Sequence, residues 1–267
     1  MGKIFPWEEI VSKSVPEIES FDKVRQELKE KLSIFPFIGG IICGSVLQGT
    51  HNVRSDLDCL ALYMIRQTEL ALSIKQDLIA YAHQLNVPLE LISVDSRTAM
   101  SLCHQIGPSF TQHVKWSAKN GGIIGKNPLP DFATTNDLHQ DLIEYFRRKI
   151  RMLEKGLEKL PIFDPKERCE FLQKILEAPI YVVRNFLVWQ GEDLRGSSKD
   201  IVLEKVSNKE WKSFLEKISD LDHLYSDELY RQLKSPNYDN YSAILSRIEE
   251  VAPEVLYFVK SVAWTLD

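Results

Sequence analysis

Two aspartates one residue apart, Asp56 and Asp58, follow a Gly44-Ser45 pair and precede a third acid, Glu90. Successive side chains of an extended strand alternate faces, so Asp56 and Asp58 point one way and Leu57 the other, into a hydrophobic layer. Adjacent carboxylates repel unless a cation lies between them. Oxygen ligands at this spacing suit Mg²⁺, which takes one or two carboxylates together with substrate phosphates and water. Gly44 lets the backbone come close to a phosphate, and the Ser45 hydroxyl with neighbouring N–H groups can bind its oxygens. Glu90 is centred in the apolar run Pro88-Leu-Glu-Leu-Ile92, where a buried acid is costly without a partner. A strand there, lying beside 56–58, brings it to the same cation. In-line nucleotidyl transfer requires this set: a metal to draw charge off phosphates and a base for the acceptor's proton.

The elements that must carry these residues are legible in the apolar rhythm. Residues 20–34 place Phe21, Val24, Leu28 and Leu32 at spacings of three and four, an amphipathic helix that needs a sheet to cover. The Ile-rich run 37–43, stopped by Gly44, reads as a buried strand, and 56–63 extends in the same way. Helical rhythm returns over 68–85, and 87–94 reads as a third strand. Helices are expected at 98–105 and 109–119, with a brief strand at 122–124 before the break Lys126-Asn-Pro-Leu-Pro130. Beyond it the chain reads as helical over 138–160, 165–190, 198–206, 209–218 and 241–266. Pro179 and Pro253 fall inside two of these segments, where a kink or break is expected. The expected fold is α+β: a small sheet core over 1–130, then an all-α bundle over 131–267, with the site in the cleft between them.

Composition bounds the partners. The 267 residues hold 33 Lys and Arg against 38 Asp and Glu, a net charge of −5 that argues against a large basic surface for wrapping nucleic acid. The four cysteines, Cys43, Cys59, Cys103 and Cys169, show neither zinc-site spacing nor disulfide density, which points to free thiols in a reducing compartment. With no secretion signal and no run of eighteen apolar residues, a cytoplasmic protein without membrane partners is expected.

Gly44-Ser45, ten residues, Asp56-Leu57-Asp58 and then Leu89-Glu90-Leu91 resemble the signature of the polymerase-beta-like nucleotidyltransferases. The minimal group, with the aminoglycoside (streptomycin and spectinomycin) adenylyltransferases and bacterial antitoxin-type enzymes, is nearest. The resemblance covers about residues 37 to 95 and implies that the core over 1–130 is a small mixed sheet flanked by helices. It implies Mg²⁺ bound by Asp56 and Asp58 with a nucleoside triphosphate, Glu90 as general base or third metal ligand, and Gly44 and Ser45 on the phosphates. ATP is the implied donor of AMP to a hydroxyl. The stretch 180–202 resembles the helical domain of those adenylyltransferases, which implies Arg184 and Lys199 as phosphate contacts. The drug-binding aromatic and acidic pattern has no clear counterpart over 163–177. The acceptor thus stays open among an aminoglycoside-like small molecule, a protein and a tRNA, as does a nucleotide-binding module without turnover. No His follows Arg184 at the spacing of an RNase partner.

Plainer roles compete for several of these residues. Acidic pairs are common at solvated strand ends, and Glu90 could face solvent from an edge strand. Ser45 could cap a helix starting at Val46, which draws on the same free N–H groups as phosphate binding. Arg184 and Lys199 are of a type more often ion-paired at surfaces. A lone loop histidine such as His51 is usually exposed, and Tyr181, Phe186 and Trp189 recur at core spacing. Arg147-Arg-Lys-Ile-Arg151 reads as a solvated helix face with Ile150 turned inward.

Overall fold

The computed structural model describes residues 3–12, 17–51, 55–95, 97–99, 107–128, 138–194 and 199–266. It divides into two compact units, one of residues 15–137 and one of 1–14 with 138–267. A short helix, α1 (Trp7–Ser12), belongs to the second unit. The first unit runs α2 (Ile18–Leu32), β1 (Phe37–Cys43), α3 (Gly44–Gln48), β2 (Leu57–Tyr63), α4 (Thr68–Gln84), β3 (Leu89–Asp95), α5 (Pro108–Ser117) and β4 (Ile123–Gly125). The second adds α6 (Leu138–Lys159), α7 (Pro165–Trp189), α8 (Lys199–Lys205), α9 (Lys209–Lys234), α10 (Tyr238–Glu250) and α11 (Ala252–Ala263).

The sheet has the order β3-β2-β1-β4 and is mixed. β1 pairs antiparallel with β2 and with β4, whereas β2 and β3 are parallel, joined by the crossover through α4. A parallel pair needs such a crossover, and 68–84 supplies it. Both faces are covered. Phe21, Val24, Leu28 and Leu32 of α2 and Ala71, Leu78 and Ala82 of α4 pack on Ile42, Leu57, Cys59, Ala61 and Leu91. On the other face Val114 of α5 and Ala118 cover Ile41, Cys43, Leu60, Leu62 and Val94. The two central strands, β1 and β2, alternate between the two layers and are buried on both sides.

The helical unit has its own core around Leu142, Phe146, Leu172, Ile175, Val183, Leu215, Tyr225, Ile248 and Val255. Its longer helices begin on strong caps. Asp164 accepts from the Glu167 N–H at 2.8 Å in a capping box ahead of Pro165, and Asn208 accepts from Glu210 and Trp211.

Several boundaries depart from the reading of the sequence. The N-terminal segment, expected in the core, packs on the helical unit, because Ile4, Phe5 and Ile10 are buried there. The Phe5 N–H donates to the Tyr225 hydroxyl at 3.2 Å, and the Tyr241 hydroxyl donates to the Phe5 carbonyl. Pro179 does not break α7, which runs on through it among Ala178, Ile180, Val182 and Val183, all buried. Pro253 does mark a break: α10 ends at Glu250 and α11 opens with the proline in its first turn. The helix expected over 209–218 continues to Lys234, since Leu221, Tyr225, Leu229 and Gln232 extend the buried stripe through a segment rich in Asp, Ser and His. Of the helix expected over 98–105 and the break at 126–130, residues 100–105, Leu129 and Pro130 lie outside the described residues. Among the described residues no helix is long and apolar enough to cross a membrane.

Candidate functional site

β2 and β3 place Asp58 directly opposite Glu90 in parallel register. Their neighbours fix which face they share. Leu57, Cys59 and Leu91 enter the layer beneath α2 and α4, while Leu60, Leu62 and Val94 enter the layer beneath α5. Asp58 and Glu90 therefore rise on the α5 side, where both strands begin, and Asp56 stands just before β2 with the same parity. One carboxylate oxygen from each of the three acids lies within 4.8 Å of the other two. Asp56 and Asp58 are half-buried.

Glu90 is exposed, which corrects the expectation of a buried acid. β3 is the edge of the sheet, and its start is uncovered. Register, rather than the penalty of burial, brings Glu90 to the aspartates. The donor set suits a divalent cation: all three ligands are hard oxygens, and oxygens sharing an ion at 2.0–2.6 Å stand up to about 4–5 Å apart.

Gly44 closes over this cluster. It follows β1 at φ +78°, a backbone that favours glycine, and an ideal Cβ on it would fall 2.3 Å from Asp58 Oδ2. The turn thus lies directly on the carboxylate. Gly44 and Ser45 form the first turn of α3 rather than a loop, so Ser45 is inside the helix and does not cap it. Its carbonyl accepts the Thr50 N–H at 3.0 Å, and Gly49 at φ +70° ends the helix.

Two thiols border the acids and are chemically silent. Cys43 pairs with Asp58 across β1 and β2. Burial pushes its thiol up to about 12; the Ser117 hydroxyl pulls the other way, and the Asp58 charge adds to the rise. Burial, then Cys43 and Asp58, hold Cys59 well above its ordinary value. Neither is a nucleophile at neutral pH. Cys169 is likewise a buried free thiol, and Cys103 lies outside the described residues.

Arg184 and Lys199 belong to the helical unit, and the three acids to the sheet unit. Arg184 is on α7 in the helical unit, where it donates from Nη2 to the Leu194 carbonyl at 2.8 Å and so ties down the segment after α7. Burial draws its guanidinium below the ordinary range. Lys199 opens α8 in the same unit, and its side chain lies outside the described residues. His51 is not an exposed loop residue: half-buried, its ring packs on Phe21 with centroids 4.7 Å apart. Phe186 is core, as its spacing indicates, but Tyr181 is exposed.

One residue at the site is invisible to pattern reading. His113, on α5, accepts the Gly44 N–H on Nε2 at 3.2 Å, with its ring stacked on Trp116. Sixty-nine residues separate it from Gly44. Its only sequence signal is a His placed one turn before a Trp on a predicted helix, too common a pairing to single out.

No known protein family matches the chain, and no curated protein is significantly similar to it.

Proposed function

We propose that the chain is a nucleotidyltransferase dependent on a divalent cation, moving a nucleoside monophosphate, AMP from ATP, to a hydroxyl of an acceptor. The observation that carries this reading is the meeting of Asp56, Asp58 and Glu90 within 4.8 Å on one face, against the Gly44 turn. Asp56 and Asp58 would hold Mg²⁺ with the triphosphate. Bound there, the cation offsets charge on the phosphate oxygens. Gly44 leaves room for close approach of the backbone, and the Ser45 hydroxyl would bind a phosphate oxygen. Glu90, the exposed member, would take the proton of the acceptor hydroxyl as its oxygen bonds to the α-phosphorus and the bond from that phosphorus to the bridging oxygen breaks, releasing pyrophosphate.

Incubation of the purified protein with α-labelled ATP, Mg²⁺ and a panel of aminoglycosides, cell-extract proteins and RNA tests the reading. Label is expected on one acceptor class, with pyrophosphate released in equal amount. Asp58→Ala is expected to lower the rate at least ~100-fold, the scale of losing a preorganised charge at a reacting phosphate. Its melting temperature should stay within a few degrees of wild type, since Asp58 belongs to neither apolar layer of the sheet. Labelling unchanged by Asp58→Ala, or nucleotide bound without pyrophosphate release, overturns it.

A further inference from the structure

The bond between His113 and Gly44 ties α5 to the turn above the acids, and nothing in the proposed chemistry uses it. Gly44 begins a five-residue helix whose first N–H groups have no partner within the helix. The N-cap position, Cys43, makes no side-chain capping bond. The first of these donors, the Gly44 N–H, is satisfied from another element, by His113 Nε2 at 3.2 Å. To accept there, Nε2 carries no proton, so the neutral ring carries its proton on Nδ1. The ring is itself held. It stacks on Trp116 at an interplanar angle of 14°, and α5 is anchored through buried Val114 and Ser117.

The geometry at Gly44 gives this bond a consequence. The α-carbon is so close to Asp58 that an added methyl would meet Oδ2 at 2.3 Å, and the positive φ leaves a glycine free to swing. Any shift of the turn toward β2 enters the space of the Asp58 carboxylate. We infer that His113 is a positioning residue: by holding the Gly44 amide it fixes the turn against Asp58, and so sets where that carboxylate stands for a divalent cation and its triphosphate. The inference rests on the proposed function for its effect on nucleotide, but not for the bond.

The test compares His113→Leu, which keeps bulk without an acceptor, with His113→Gln, whose side-chain oxygen can take the same N–H. Three readouts are used on the full-length protein: hydrogen exchange at the Gly44 amide by NMR, Mn²⁺ affinity by electron paramagnetic resonance without nucleotide, and KM for ATP against kcat. In His113→Leu, Gly44 exchange is expected to quicken by tenfold or more, Mn²⁺ affinity to fall about fivefold, and KM to rise about tenfold with kcat within threefold of wild type. His113→Gln is expected to recover most of each change. Slow Gly44 exchange in His113→Leu, a Mn²⁺ affinity equal to wild type, or failure of His113→Gln to recover any readout overturns the inference. A wild-type protein that binds Mn²⁺ but never releases pyrophosphate instead overturns the transferase reading, while the exchange and Mn²⁺ comparisons still decide the role of His113.

Discussion

Gly44 and Gly49 make the same backbone demand in different surroundings. Both adopt a positive φ, +78° and +70°, but a Cβ at Gly44 meets the Asp58 carboxylate whereas one at Gly49 meets nothing within 4 Å. An L-residue in this conformation costs roughly 1–2 kcal/mol, so both Gly49→Ala and Gly44→Ala are expected to lose stability on thermal melting, Gly44→Ala the more because of its contact with Asp58. Their activities should separate. Gly49→Ala is expected to retain transfer within a few-fold, while Gly44→Ala, which drives a methyl into Asp58, should lose it by ~100-fold or more. Equal activity in the two variants would show that the approach of the turn to Asp58 has no part in the chemistry.

Pairs of helices and strands decide which of these contacts exist. Register between β2 and β3 sets Asp58 against Glu90, and a slip of one residue would turn Glu90 to the opposite face. In the helical unit the comparable control is Gly156 on α6. A Cβ there would stand 1.9 Å from Phe171 of α7, so the glycine is what lets these two helices approach. Gly156→Ala gains helix propensity worth up to about 1 kcal/mol but must displace a buried ring. Overpacking, at roughly 1–3 kcal/mol, is expected to win, with a net loss of up to about 2 kcal/mol in urea unfolding. A variant more stable than wild type would mean that Phe171 has another rotamer at no cost.

Across the full chain the two units have separate cores, yet the N-terminus belongs to the later one. Ile4, Phe5 and Ile10 lie in the core built by residues far along the sequence, and Trp7 packs its ring on Tyr238 and Tyr241 at 5.4 and 5.9 Å. The Tyr225 and Tyr241 hydroxyls, 3.0 Å apart, serve both the N–H and the carbonyl of Phe5. Burial, then Tyr225, keeps the Tyr241 phenol protonated far above its ordinary range. Deleting residues 1–12 removes three buried apolar side chains, each worth roughly 2–3 kcal/mol, and takes the Phe5 N–H and carbonyl from the two hydroxyls. Hydrogen exchange by mass spectrometry is expected to show lost protection through α9 and α10. Unchanged protection there would mean that the segment only covers a surface already stable without it.

Short-range pattern was enough for much of this. The alternation Asp56-Leu57-Asp58, the stop at Gly44 and the apolar rhythm of 20–34, 37–43 and 68–85 specify strands and helices, because they depend on periods of two and 3.6 residues within one segment. Propensity alone misled over 219–234, where burial of Leu221, Tyr225 and Leu229 outweighs weak helix formers. It misled again at Pro179, whose neighbours Ala178, Ile180, Val182 and Val183 are buried. Three features lie beyond any local pattern: the exposure of Glu90, the docking of Phe5 on Tyr225 and Tyr241, and the His113 bond to Gly44. Each depends on which element lies beside which. Contacts across 69 or 220 residues are settled by how whole faces pack, and a periodicity confined to one helix or strand carries no record of its neighbour.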